Sequence, residues 1–104
     1  MTQGGRGYPP EVISAIVMIN AAVDQIPEVA QRIADLDGVS EVYSVAGDVD
    51  LVAMVRVRRH EDLHEVIAGR LNKVDGVQAT STLIAFQAYS RHDLEATFSL
   101  GLEQ

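Results

Sequence analysis

One tripeptide pattern occurs twice, as Asp37-Gly38-Val39 and again as Asp75-Gly76-Val77. Apolar residues approach each copy at helical steps and leave it in strand-like runs. Before the first, Ile26, Val29, Ala30 and Ile33 recur every three or four positions from a start at Asp24. Pro27 falls in the first turn, where its missing N–H costs little. Before the second, Leu63, Val66, Ile67, Leu71 and Val74 form a similar stripe between His60 and Asp75. A glycine just past a helical stripe is a common stop signal. The chain therefore reads as two similar units, each carrying a helix between strands.

The strands fill in the rest. Val12–Asn20, Val39–Ala46, Leu51–Val57 and a long Val77–Tyr89 are rich in β-branched residues, and Gly47-Asp48-Val49-Asp50 turns the second into the third. The order β-α-β-β-α-β predicts an α+β, ferredoxin-like sandwich, a four-stranded antiparallel sheet with two helices on one face. Its strand order is 4-1-3-2, so the first and third strands are central. A length of 104 residues suits one domain. It is expected to divide into a flexible arm (1–10), a folded domain (11–90) and a C-terminal tail (91–104).

Both central strands are apolar on both faces. Ile13, Ala15, Val17 and Ile19 alternate with Val12, Ile16 and Met18, and Leu51, Ala53, Val55 and Val57 alternate with Val52 and Met54. Two helices cover one side of such a sheet, and the other side needs a cover of its own. A second copy packed face to face supplies it, which predicts a homodimer. In the tail, Leu94 and Phe98 fit a helical step while Phe98, Leu100 and Leu102 alternate. The tail is expected to dock on a neighbouring subunit, with packing under its own helices as the alternative.

Charge and composition remove several function classes. Lys and Arg number 8 against 15 Asp and Glu, a formal net charge of −7. Such a surface repels polyanions, and the short Arg56, Arg58, Arg59, His60 cluster reads as a solvated strand end, so no direct nucleic-acid contact is expected. With no cysteine there is no disulfide, thiolate metal site or thiol nucleophile. The run Val12–Ile19 is too short to span a bilayer, and the opening residues lack a signal core, which points to a cytoplasmic chain without a membrane role. His60-Glu61-Asp62-Leu63-His64 matches the zinc-protease pattern H-E-x-x-H. Its first histidine falls at the helix start, however, and a surface helix terminus with acids complementing the dipole explains it better. No phosphate loop, nucleophile elbow or acid–base pair is present. Neither catalysis nor a cofactor or metal is expected.

Two polar features remain. Gly47, Asp48 and Asp50 make an ordinary hairpin tip, or alternatively a carboxylate pair for a ligand ammonium beside a glycine that admits its carboxylate. Thr80 and Thr82 share one strand face, with Ser81 on the other. They read as strand formers or as hydroxyls lining a pocket.

The fragments "DGVSEVYSVAGDVDLVAMVRV" and "VDGVQATSTLIAF", in that order within such a chain, resemble the effector-binding (RAM) domain of the Lrp/AsnC regulators from about Val12 to Phe86. The Gly-Asp/Glu-aromatic-Asp loop of that family is similar to Gly47-Asp48-Val49-Asp50, with Val49 in the aromatic position. The resemblance implies dimers through facing sheets, assembly of dimers up to an octamer, and an amino-acid effector in clefts between dimers. Gly47, Asp48, Asp50, Thr80 and Thr82 would line the cleft. Family regulators carry an N-terminal helix-turn-helix, which a ten-residue arm cannot supply, so a stand-alone form is expected. Such a form would act on transcription indirectly, in some cases through full-length regulators. The alternatives are an assembly module that joins those regulators without a ligand, and a small dimeric α/β-barrel enzyme.

Overall fold

A computed structural model describes residues 12–89. Four strands, β1 (Ile13–Ala21), β2 (Val39–Ser44), β3 (Leu51–Val57) and β4 (Val77–Ile84), form one antiparallel sheet in the order β2-β3-β1-β4. This is the predicted ferredoxin-like arrangement. The first helix, α1 (Ile26–Ala34), follows a 3-10 turn at Val23–Gln25 and carries Pro27 in its first turn. No helix among the described residues is long and apolar enough to cross a membrane.

The core lies between the helices and one face of the sheet. Ala15, Val17 and Ile19 of β1 stand opposite Val55, Ala53 and Leu51 of β3, and all six are fully buried. Val29 and Ile33 of α1 and Leu71 close over them without residual exposure. The alternate residues Ile16, Met18, Val52 and Met54 face the other side and are only half-buried. They are flanked there by Tyr43, which pairs with Val52, and Leu83, which pairs with Ile16.

The repeated glycines have a shared physical cause. Gly38 and Gly76 both adopt φ +96°, a conformation that side chains rarely take. Each also lies beneath the helix of the other half. A Cβ on Gly38 would stand 2.7 Å from a methyl of Val66, and one on Gly76 would stand 2.5 Å from a methyl of Val29. Their carbonyls accept from the backbone beside the central strands, Gly38 from Arg56 and Gly76 from Ala22, each at 2.9 Å. The echo in sequence is thus an echo in space.

Beyond shifts of one or two residues in β1 and at the start of α1, three elements differ from the sequence reading. β2 stops at Ser44, where the Val45 N–H closes on the Asp50 carbonyl at 3.1 Å. β4 ends at Ile84 rather than Tyr89. The Ala85 N–H still donates to Ser14 at 2.9 Å, but the ladder stops there and residues 85–88 run beside Val12, Ser14, Met54 and Arg56. The second helix is not continuous either. It begins as α2 (His60–His64), widens to a π-helix over Glu65–Arg70, and tightens to a 3-10 turn at Leu71–Lys73. The Leu71 N–H reaches back to Val66, five residues away. The same wide coil aligns Glu65 with Arg70, whose charged atoms stand 3.7 Å apart.

Candidate functional site

The Gly47–Asp50 turn sits where β1 ends and β3 begins. Asp50 is tied into the sheet three ways. Its N–H donates to Ile19 at 2.9 Å, its carbonyl accepts from Val45, and its Oδ2 accepts from the Ala21 N–H at 2.9 Å. The carboxylate takes over as acceptor just past the last β1–β3 pair, Ile19 with Leu51. Oδ1 makes no hydrogen bond with a described residue, so half of the carboxylate remains for another donor.

Asp48 differs. Its carbonyl accepts from Asn20 Nδ2 at 3.1 Å, while its side chain is exposed and pairs with no described residue. Gly47 has φ +146°, and a Cβ there would meet nothing within 4 Å, so its backbone conformation alone calls for glycine. Val49 is half-buried.

The threonines lie across β1 from this turn. Ile19 pairs with Leu51 on one side and Thr80 on the other. At ordinary strand spacing, Leu51 and Thr80 are about 10 Å apart. Thr80 and Thr82 do share a face, the one toward the helices. The Thr80 hydroxyl donates to Asn72 Oδ1 at 2.8 Å, which ties β4 to the end of the second helix. Thr82 instead lines a shallow apolar groove of about 310 Å³ with His60, Leu63, His64, Ile67, Ala68 and Ile84. Within one chain the five predicted residues therefore do not converge on one cavity. Three meet at the turn, Thr80 is occupied by Asn72, and Thr82 opens into the groove. Asn20 and Asn72 escaped the sequence reading. An amide directly after the apolar run of β1 was the available signal for Asn20.

The remaining polar clusters do less. In the basic group, Arg56 pairs with Glu41 at 3.2 Å and Arg59 with Asp62 at 3.5 Å. His60 and His64 are both exposed, and no cluster of three or more metal-ligating side chains forms among the described residues. On β2 the Tyr43 hydroxyl donates to Glu41 Oε2 at 3.0 Å. That bond, and the charge of the same carboxylate, hold the phenol above its ordinary pKa.

Comparison with known proteins supplies the family. The Lrp/AsnC ligand-binding domain matches residues 14–94. The HTH-type transcriptional regulator PH1916 of Pyrococcus horikoshii is 39% identical over 59 residues, a stretch covering 57% of this chain and 39% of that protein. The chain spans half the length or less of curated regulators like this one. The crystal structure of TTHA0845 from Thermus thermophilus is 42% identical with a TM-score of 0.72, covering 76% of this chain and 99% of its own. NMB0573 of Neisseria meningitidis, solved as a complex with L-Met, shares the fold at 14% identity and TM-score 0.68, over 76% of this chain and 53% of its own. The chain belongs to the Lrp/AsnC family of transcription regulators, and residues 14–94 are its ligand-binding domain.

Proposed function

We propose that this chain is a non-enzymatic sensing and assembly domain that binds a small effector, an amino acid, between dimers. The observation carrying the reading is the family match over 14–94, with a Gly-Asp-Val-Asp turn at the end of the two central strands. The mechanism follows from the turn. The Asp48 carboxylate and Asp50 Oδ1 would accept from the effector's ammonium, while Gly47 leaves its carboxylate room to approach the backbone. Thr80 and Thr82 would contribute from β4 once a neighbouring dimer closes the cleft. A site that is open within one chain and complete only between dimers couples binding to assembly. The effector favours whichever state it binds more tightly.

The half-buried apolar side of the sheet supports dimers, and further association up to an octamer is part of the proposal. The L-Met complex of NMB0573 supports the amino-acid class. A stand-alone form acting on transcription indirectly, in the cytoplasm, through full-length regulators, is also part of the proposal; TTHA0845, 99% of whose chain is matched, is a relative of domain size.

A thermal-shift panel of the twenty amino acids tests the reading, with Asp50→Asn as control. Asparagine keeps an acceptor for Ala21 while losing the charge. One selective ligand at roughly 100 times its Kd should stabilise the domain by about 2.7 kcal/mol. The variant should lose that gain. A flat panel would overturn sensing and leave a ligand-free assembly module, a reading favoured by the aliphatic Val49.

A further inference from the structure

The sheet has two edges, and they are built differently. β2 is six residues long, its register against β3 shifts between Val39 and Glu41, and it carries the charge of Glu41. Such features keep an edge from pairing further. β4 is neither short nor charged. Its eight residues, Val77–Ile84, include no proline either, and all except Val77 and Thr80 are exposed. From Ala79 onward its register against β1 is unbroken.

The ladder fixes which backbone groups are free. Ala85 bonds to Ser14, so by antiparallel alternation Leu83 and Ser81 also turn toward β1. Thr80, Thr82 and Ile84 therefore turn their N–H and C=O outward, and no described residue bonds them. The same edge borders the apolar groove lined by Leu63, Ile67, Ala68, Thr82 and Ile84. Ile84 is 47% exposed there, although its neighbour Ala15 is fully buried. Unmet hydrogen bonds and uncovered apolar surface thus lie side by side.

We infer that β4 is an interface between two copies of this chain, paired antiparallel so that their sheets run on into one. A two-fold axis at Thr82 sets Thr80 against the partner's Ile84, Thr82 against the partner's Thr82, and Ile84 against the partner's Thr80. Every outward group named above is then used, in about six hydrogen bonds. A net charge of −7 opposes self-association in general, but this strand brings no like charges together. The axis stands perpendicular to the sheet, so both helix layers stay on one side and the two grooves close toward each other. This self-match selects a second copy over an unrelated extended peptide. The bare sheet face stays free, so the pairing adds one contact to the assembly proposed above.

The absence of cysteine makes the test direct. Residues paired in this way lie about 5.5 Å apart at Cα, within disulfide range. Under mild oxidation Thr82→Cys should link two chains about tenfold or more faster than Ser44→Cys on β2, because pairing concentrates the thiols. Thr82 faces the helix side, so contact between bare sheet faces cannot produce that link. Adding Ile84→Pro removes an outward N–H and spares the β1 ladder. It should abolish the link and leave the circular dichroism spectrum unchanged. A rate equal to that of Ser44→Cys, or a link that survives the proline, would overturn the pairing. No effector enters the experiment, so failure here leaves the sensing reading and the sheet-face dimer standing.

Discussion

The two faces of the sheet are built from the same strands and nearly the same residue types, yet they end differently. Ala15, Val17, Ile19, Leu51, Ala53 and Val55 are fully buried under the helices. Ile16, Met18, Val52 and Met54, one position away on the same strands, are half-covered by neighbours in the sheet, while Tyr43 and Leu83 beside them are 51% and 52% exposed. One face stabilises the chain. The other, equally apolar, has nothing within the described chain to pack on, and its hydrophobicity is intelligible as an interface. Alternation in these strands thus carries two messages, one about folding and, on the proposed reading, one about assembly.

Substitutions can separate the messages. The largest effect should come from Leu51→Ala on the covered face, which empties a site of zero exposure and should cost about 2–5 kcal/mol by urea denaturation. A cost below about 1 kcal/mol would mean that this face is not the centre of stability. Gly76→Ala attacks the same face through its helix. The new Cβ collides with Val29 and the φ is unfavourable, for about 1–3 kcal/mol on the same assay. Met54→Glu, on the bare face, should change the stability of the isolated chain by no more than about 0.5 kcal/mol. It should nonetheless disperse the assembly in light scattering. An intact oligomer would move the interface elsewhere.

The smallest effect is a titration. Glu41→Ala should bring the Tyr43 phenol down toward its ordinary pKa, followed by tyrosinate absorbance, because the hydrogen bond and the charge that raise it are then both gone. The folded state favours the protonated phenol. Whatever stability this adds is present below the ordinary tyrosine pKa and fades as pH rises through the elevated one. Tyr43 is exposed in the single chain, so the effect belongs to the titration curve more than to stability. Covering the bare face should raise this pKa further, making Tyr43 a reporter of assembly when the parent chain is compared with Met54→Glu.

Periodicity made the sheet order legible because Ile13–Ile19 and Leu51–Val57 are unambiguous alternations, and β3 has the expected bounds. The Gly38 and Gly76 echo was legible because one backbone geometry is required twice. What escaped was decided by neighbours. Phe86 and Tyr89 continue the strand pattern, yet the ladder ends at Ile84 although Ile13 lies in register opposite Phe86. The stripe from Leu63 to Val74 has helical spacing throughout, and nothing in it announces the π segment. At the candidate site the residue types were readable, but the tie between Asp50 and the Ala21 N–H was not. It depends on two chain segments meeting after folding.

The position of β1 has a consequence for how the molecule is made. This first strand is central, yet both its partners come later, and the β4 pairing joins Ala15 to Ile84 near the other end of the described chain. During synthesis the β2–β3 hairpin can close early, while β1 keeps an open edge until almost the whole domain has left the ribosome. Such a chain gains much of its stability in a late, long-range step, with slow closure and a vulnerable nascent intermediate. With residues up to Gly76 clear of the ribosome, the chain would hold a three-stranded sheet whose exposed edge is the strand that later becomes internal.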